Sequence, residues 1–354
     1  MALKNTKNVP RYIFGSGSFS QLPDILDEIR KRDEKVVFYV DHFFKGKNLP
    51  GKLPAGPQDI VEFIDTTDEP TTTLIDELAA KTEMPIACVV GIGGGAVLDI
   101  AKAVSNLLTN GGKAEQYQGW DLVKKPGVFK IGIPTLSGTG SEASRTCVLT
   151  NEVRGIKLGM NSDFSIYDQL ILDPDLTATV PRDQYFYTGM DTYLHCMESL
   201  RGSYRNVVVD ALSEKAMEMC QDIFLSDDMM SPKNREKMMI ASYFGGCAAG
   251  NVGVVHPLSA GLSIALHLHH CVANCITMNV LEEFYSKEHE EFRQMVDKQK
   301  VNIPANVCKD RAPDIFEKLY ASSIIHEKPL TNALGPDFKK VLTKEKMISL
   351  FKRM

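Results

Sequence analysis

Three consecutive glycines, Gly93-Gly94-Gly95, stand between an apolar run at residues 85–92 and a helix-like stretch at residues 97–108. The apolar run has the length and β-branched content of a buried strand. Glycines lack a Cβ, so the backbone there can turn sharply and approach a ligand closely. A helix opening at this point offers unpaired N–H groups and a positive dipole end to an anion such as a pyrophosphate. Strand, glycine turn and helix together open a βαβ unit, which commits this part of the chain to a parallel sheet. A glycine turn without a ligand has the same composition; its place directly after a buried strand favours phosphate binding.

Residues 35–40 and 129–133 are further short apolar runs, and residues 21–32 and 72–81 are helix-like. From Pro181 onward the pattern changes: residues 189–200, 209–224, 235–249 and 314–322 read as helices, with no convincing strand. Turn-forming Asp173, Pro174 and Asp175 mark the change. The expected organisation is a nucleotide-binding α/β domain over residues 1–180 and an all-helical metal-binding domain over residues 181–354, with a cleft between them. A chain of 354 residues is long enough for two such cores.

Net charge is −5 at pH 7, and no Lys/Arg block makes a basic stripe, which argues against nucleic acid as a partner. The N-terminal segment has no apolar signal core, and no stretch reaches about 18 uninterrupted apolar residues. Residues 258–281 come nearest, but they hold His267, His269, His270 and Asn274 and read as one buried helical segment, not a membrane span. Eight cysteines without a CxxC pair are expected to be free thiols in a reducing compartment, so a cytoplasmic location is expected. Cys271 and Cys275 are an i, i+4 pair beside a candidate ligand, but thiolates would compete with the imidazole set described next.

Asp191 and His195 are spaced i, i+4, so on a helix a carboxylate and an imidazole point from one face. Alone, such a pair is an ordinary helix ion pair. His256 and His270, fourteen residues apart in apolar surroundings, complete a set of one carboxylate and three imidazoles suited to Zn²⁺ or Fe²⁺. A polar loop after the third strand carries Thr135, Ser137, Thr139 and Ser141, whose hydroxyls suit a cofactor. Asp41 ends the first strand, where a carboxylate accepts from ribose hydroxyls and repels a 2′-phosphate; the same residue serves equally as a turn cap.

With these motifs in order, GIGGGAVLDIAK, IGIPTLSGTGSEAS, ILDPDLTATVP, GMDTYLHCMES and VHPLSAGLSIALHLHHCVANC, the chain resembles the iron-containing alcohol dehydrogenase family over nearly its whole length. The resemblance implies a dehydroquinate synthase-like architecture, with an α/β nucleotide-binding domain on a parallel sheet and an all-α C-terminal domain. It implies NAD or NADP and a divalent metal, zinc or iron, as cofactors. Gly93, Gly94, Gly95 and Asp99 match the family's nucleotide turn; Thr135, Ser137, Thr139 and Ser141 its second cofactor loop; Lys157 a lysine near the cofactor. Asp191, His195, His256 and His270 match the four metal ligands, with His256 and His270 closest to catalysis. Two departures stand out: Ala96 replaces the usual serine of the glycine turn, and Ala260 stands where many members have a further histidine thought to assist proton transfer.

Residues 117–122, 144–146 and 181–188 are similar to a branch that oxidises the C8 primary alcohol of the sugar acid 3-deoxy-D-manno-octulosonate to an aldehyde, in making the 8-amino form of that lipopolysaccharide sugar. The resemblance therefore implies a sugar-acid or alcohol substrate, a pathway aminotransferase as partner, and a homodimer. Arg145, Arg154, Arg201 and Arg205 are candidate cations for the substrate carboxylate. Two other readings share the motifs: a dehydroquinate synthase-like lyase using NAD transiently, and a non-catalytic metal- and nucleotide-binding scaffold.

Overall fold

The structure, a computed structural model, describes residues 7–31 and 33–354. The chain divides into two compact units. One runs to Leu136 and adds Ser141–Arg154 and Leu158–Thr177; the other holds Ser137–Gly140, Gly155–Lys157 and Ala178–Met354.

The first unit contains strands β1 (Tyr12–Phe14), β2 (Lys35–Asp41), β3 (Ile60–Ile64), β4 (Ile86–Gly93), β5 (Gly119–Trp120), β6 (Phe129–Pro134), β7 (Thr146–Asn151), most of β8 (Ile156–Asn161) and β9 (Gln169–Leu172). Six of these form a parallel sheet in the order β1-β9-β6-β4-β2-β3; β5, β8 and β7 form a smaller one. Helices α1 (Leu22–Ile29), α2 (Thr72–Lys81) and α3 (Gly95–Asn110) connect the strands. Alternation along β2 explains why it is central. Val37 and Tyr39 enter one core with Ile100 and Val104, while Val36, Phe38 and Val40 enter another with Leu22 and Leu26. A strand buried on both faces reads as a continuous apolar run, and this made β2, β4 and β6 visible in the sequence. Strands β1, β3 and β9 are short or half-exposed and carry no such run. Of the expected helix at residues 21–32, α1 covers Leu22–Ile29, and Arg32 lies outside the described residues.

The second unit is helical: α4 (Arg182–Arg201), α5 (Val207–Phe224), α6 (Pro232–Ala248), α7 (Val255–Leu266), α8 (His270–Met278), α9 (Ser286–Gln299), α10 (Pro313–Ile324), α11 (Glu327–Leu334), α12 (Phe338–Val341) and α13 (Lys344–Arg353). No strand follows β9 among the described residues. Helix α4 is buried almost continuously from Tyr185 to Ser199, which makes it the axis of this unit. One expectation needs correction. Residues 258–281 are not one helical segment, because α7 ends at His267, whose φ of 55° is left-handed, and α8 begins at His270. Hydropathy is blind to such a residue, since a left-handed histidine leaves the apolar content unchanged. No single helix among the described residues is long and apolar enough to cross a membrane.

Candidate metal centre and nucleotide turn

Each unit holds one set of the candidate site residues. In the second unit, α4 presents Asp191, His195 and Glu198 at i, i+4 and i+7, so all three lie along one face. His256 sits in the first turn of α7, and the break at 267–269 places His270 at the first position of α8. Ligand atoms of Asp191, His256 and His270 lie within 4.8 Å of one another. His195 stands beside them, its Nε2 3.6 Å from Asp191 Oδ1 and its ring stacked on that of His256 with centroids 4.5 Å apart. The structure thus brings together all four residues that the sequence singles out.

Asp191 is the electrostatic hub. Its Oδ1 is 3.2 Å from His256 Nε2 and accepts from Asn274 Nδ2 at 2.7 Å. Burial opposes its ionisation, but the charges of His195, His270 and His256 outweigh that and hold the carboxyl well below the usual range. Burial pushes His195 down to about 4, only partly offset by Asp191, so this imidazole is neutral and ready to ligate. Its Nδ1 is buried without a hydrogen-bond partner. For His256 burial acts the same way, yet Glu198 and Asp191 overcome it and raise the group to about 9. One carboxylate with three imidazoles is a donor set that fits Zn²⁺ or Fe²⁺ and suits neither a hard, all-oxygen cation nor a thiolate site. Cys271 makes a long S–H contact of 3.7 Å with Asp191 Oδ2, and Cys275 is buried within reach of the same carboxylate's charge.

In the first unit, β4 runs into Gly94, which starts α3 with no side-chain cap. An added Cβ on Gly93 would meet Val97 at 2.8 Å and Asp41 Cβ at 3.1 Å; one on Gly94 would meet Leu136 at 2.7 Å. These glycines let the ends of β2, β4 and β6 close around the first turn of α3. From β2 the chain continues to β3 on one side, while β4 and the strands beyond lie on the other. Open parallel sheets bind ligands at such a switch point, beyond the carboxyl ends of the strands.

Other expected cofactor residues have partners inside the protein. The Asp41 carboxylate caps the turn that follows β2, accepting from Phe43 N–H at 3.0 Å and from the Thr66 hydroxyl. Asp99 accepts from Ser141 Oγ at 2.5 Å and from Val148 N–H at 2.8 Å, and pairs with the fully buried Lys102 at 3.0 Å. This staple holds the Ser141 loop against α3. Thr135 is buried and its N–H donates to Gly93 O, so the second loop is tied to the glycine turn. Gly95 is half-buried at the head of α3. Ser137, Thr139 and Lys157 group with the second unit.

Sequence reasoning missed Glu198, Asn274 and His326. The last precedes α11, with its Nε2 buried and without a hydrogen-bond partner. Burial, then the charges of Lys157 and His256, push its pKa down to about 4. The sign follows from linkage: above about pH 6.5 neither folded nor unfolded chain protonates this group, so it contributes nothing there. As pH falls from about 6.5 to 4 the unfolded chain gains the proton first, and stability drops by up to about 3 kcal/mol. His326→Gln is expected to lose about 2 kcal/mol less than the parent between pH 7 and pH 5 in urea unfolding. Equal losses would show that His326 is not held neutral.

Residues 10–174 match the iron-containing alcohol dehydrogenase family, and residues 185–332 match the Fe-containing alcohol dehydrogenase family, C-terminal. Sulfoacetaldehyde reductase of Bilophila wadsworthia is 37% identical over 190 residues, spanning 52% of this chain and 49% of that protein, about half its length. The NAD-dependent methanol dehydrogenase of Bacillus methanolicus is 28% identical over 279 residues, 76% of this chain and 72% of that one. Alcohol dehydrogenase from Oenococcus oeni superposes with a TM-score of 0.86 at 20% identity over 99% of both chains, a likeness of fold. Motifs, ligand convergence and matched residues agree: this chain belongs to the iron-containing alcohol dehydrogenase family, and its cofactors are a nicotinamide nucleotide and a divalent metal.

Proposed function

We propose that this enzyme oxidises a primary alcohol to an aldehyde, the alcohol being the C8 hydroxyl of 3-deoxy-D-manno-octulosonate, with NAD or NADP as hydride acceptor. The convergence of Asp191, His195, His256 and His270 carries this reading. A divalent ion held there supplies a Lewis acid that lowers the pKa of an alcohol hydroxyl, and a bound nicotinamide supplies the hydride acceptor. The chain's own residues do the rest. Asp191 and the three imidazoles hold the ion, with Asn274 steadying the carboxylate. The glycine turn at 93–95 and the start of α3 would receive the pyrophosphate, and Thr135, Ser137, Thr139, Ser141 and Lys157 are the further cofactor residues that the motif likeness supports. Asp41 favours NAD, because a carboxylate at the end of β2 disfavours a 2′-phosphate.

For the substrate carboxylate, Arg145 is held by Asp121 and Asp163, Arg201 by Glu288, and Arg205 by Asp210. Arg154, exposed in the turn after β7, has no carboxylate partner among the described residues and is the candidate that remains. Zinc and iron both suit the donor set. Motif likeness also supports a homodimer and an aminotransferase that consumes the aldehyde, while the eight free cysteines support a reducing, cytoplasmic setting.

Metal-loaded protein, mixed anaerobically with the sugar acid and NAD⁺ or NADP⁺, is expected to give reduced nicotinamide, absorbing near roughly 340 nm. No growth of that band with either nucleotide would sink the proposal. Turnover without net reduction of nucleotide would favour the lyase reading instead. Growth with simple primary alcohols but not the sugar acid would retain the dehydrogenase and discard its substrate.

A further inference from the structure

We propose that Glu198 is a positioning residue that fixes the His256 ring and neutralises the metal centre, which rests on the reading of Asp191, His195, His256 and His270 as ligands. Its carboxylate is fully buried, one turn beyond His195 on α4. Oε2 lies 2.5 Å from His256 Nδ1. Oε1 accepts the Val255 N–H at 2.6 Å and the Tyr285 hydroxyl at 3.2 Å, and Tyr285 in turn accepts the Val254 N–H at 3.0 Å. One carboxylate therefore ties the start of α7 to α4 and takes the outward nitrogen of a ligand.

Gly253 bears the mark of this arrangement, since a Cβ there would meet Tyr285 Oη at 2.6 Å and Glu198 Oε1 at 3.0 Å. Donation of Nδ1–H to Glu198 leaves the Nε2 lone pair as the only one His256 can present, and Nε2 faces Asp191 at 3.2 Å. Carboxylates placed behind ligand imidazoles fix the tautomer and raise donor strength. Charge adds a second reason. His256 and His270 both lie in the first turns of helices, whose dipole ends disfavour a cation. Asp191 alone would leave a buried dication with net positive charge, and Glu198 cancels it.

A bare helix-capping role for Glu198 predicts something different. In Glu198→Gln the amide oxygen can still cap Val255, but the charge and the acceptor for Nδ1–H are both removed. This variant is expected to melt near the parent and to bind Zn²⁺ about 10- to 100-fold more weakly. The visible absorption of its Co²⁺-substituted form is expected to shift, and Glu198→Asp is expected to recover part of the affinity. Parental Zn²⁺ affinity with an unaltered Co²⁺ spectrum in the Gln variant would overturn the proposal while leaving the metal ligands standing. A parent that binds no divalent ion would remove both. Because the Gln variant also tests folding, the ¹⁵N spectrum of the Zn²⁺-loaded parent gives an independent reading. Protonated, hydrogen-bonded Nδ1 on His256 is expected, and an Nε2–H tautomer would exclude the role.

Discussion

Replacing Asp191 by asparagine is expected to abolish tight binding of divalent metal and to lower turnover by roughly a thousandfold or more. Its side chain is 1% exposed, and its Oδ1 faces three imidazoles at 3.2 to 3.9 Å. Asparagine keeps the shape and removes the charge. A unit charge about 4 Å from the ion, at an effective dielectric constant of about 20, is worth about 4 kcal/mol, or about three decades in affinity. The substitution also disturbs a neighbour: Asn274 donates to Oδ1 at 2.7 Å, which keeps the new amide's oxygen on that side, so its NH₂ takes the Oδ2 place beside Cys271 Sγ. Elemental analysis, a competition titration for the dissociation constant and turnover of metal-loaded protein together check the outcome. Parental metal content and affinity in a folded variant would remove Asp191 from the ligand set. A companion, His270→Ala, is expected to lose metal and activity as well; with its side chain 29% exposed, His270 disturbs the core less when removed.

What the sequence made legible, and what it hid, divides along a physical line. Strands β2, β4 and β6 are buried on both faces and announce themselves as apolar runs, and α2 occupies the residues its periodicity marks. Helix α9 was hidden because its sequence is mostly charged and only Phe292, Met295, Val296 and a few neighbours turn inward. The convergence of Asp191, His195, His256 and His270 was legible because chemistry restricts candidate ligands to few residue types, and because the Asp191 and His195 spacing is local. Glu198 and Asn274 act on partners 58 and 83 positions away, and such pairings exist only once the chain has folded. Glu198 did leave a trace, as a carboxylate three residues after His195 on the same helix face. Hydroxyls are read only in part. Ser141 reads as a cofactor contact, and its Oγ also donates to Asp99, because small polar residues beside a glycine turn also serve to brace it.

That bracing underlies the second large effect. Gly138→Ala is expected to destabilise the protein by about 4–6 kcal/mol, adding backbone strain of about 2, a steric clash of about 2 and the loosening of two buried hydrogen bonds at about 1 each. Gly138 has a φ of +143°, a conformation L side chains rarely adopt, and an added Cβ would be driven into the Thr188 carbonyl of α4. Its N–H donates to Ser242 Oγ at 2.7 Å, and its carbonyl accepts from Thr192 Oγ1 at 2.8 Å. Two residues on, a Cβ at Gly140 would strike the backbone of Gly246 in α6. The loop is thus seated directly on backbone, which cannot yield as a flexible side chain can. Thr188 and Thr192 bracket Asp191, so a displaced loop should move the turn of α4 that carries the ligand carboxylate. Calorimetry is expected to show a melting temperature lower by roughly 5–8 °C, with reduced metal retention in the same preparation. Gly250→Ala serves as the control, because nothing lies within 4 Å of the added Cβ and its backbone is ordinary. A Gly138 variant that melts with the parent and keeps its metal would show that the loop is not what holds this part of α4 in place.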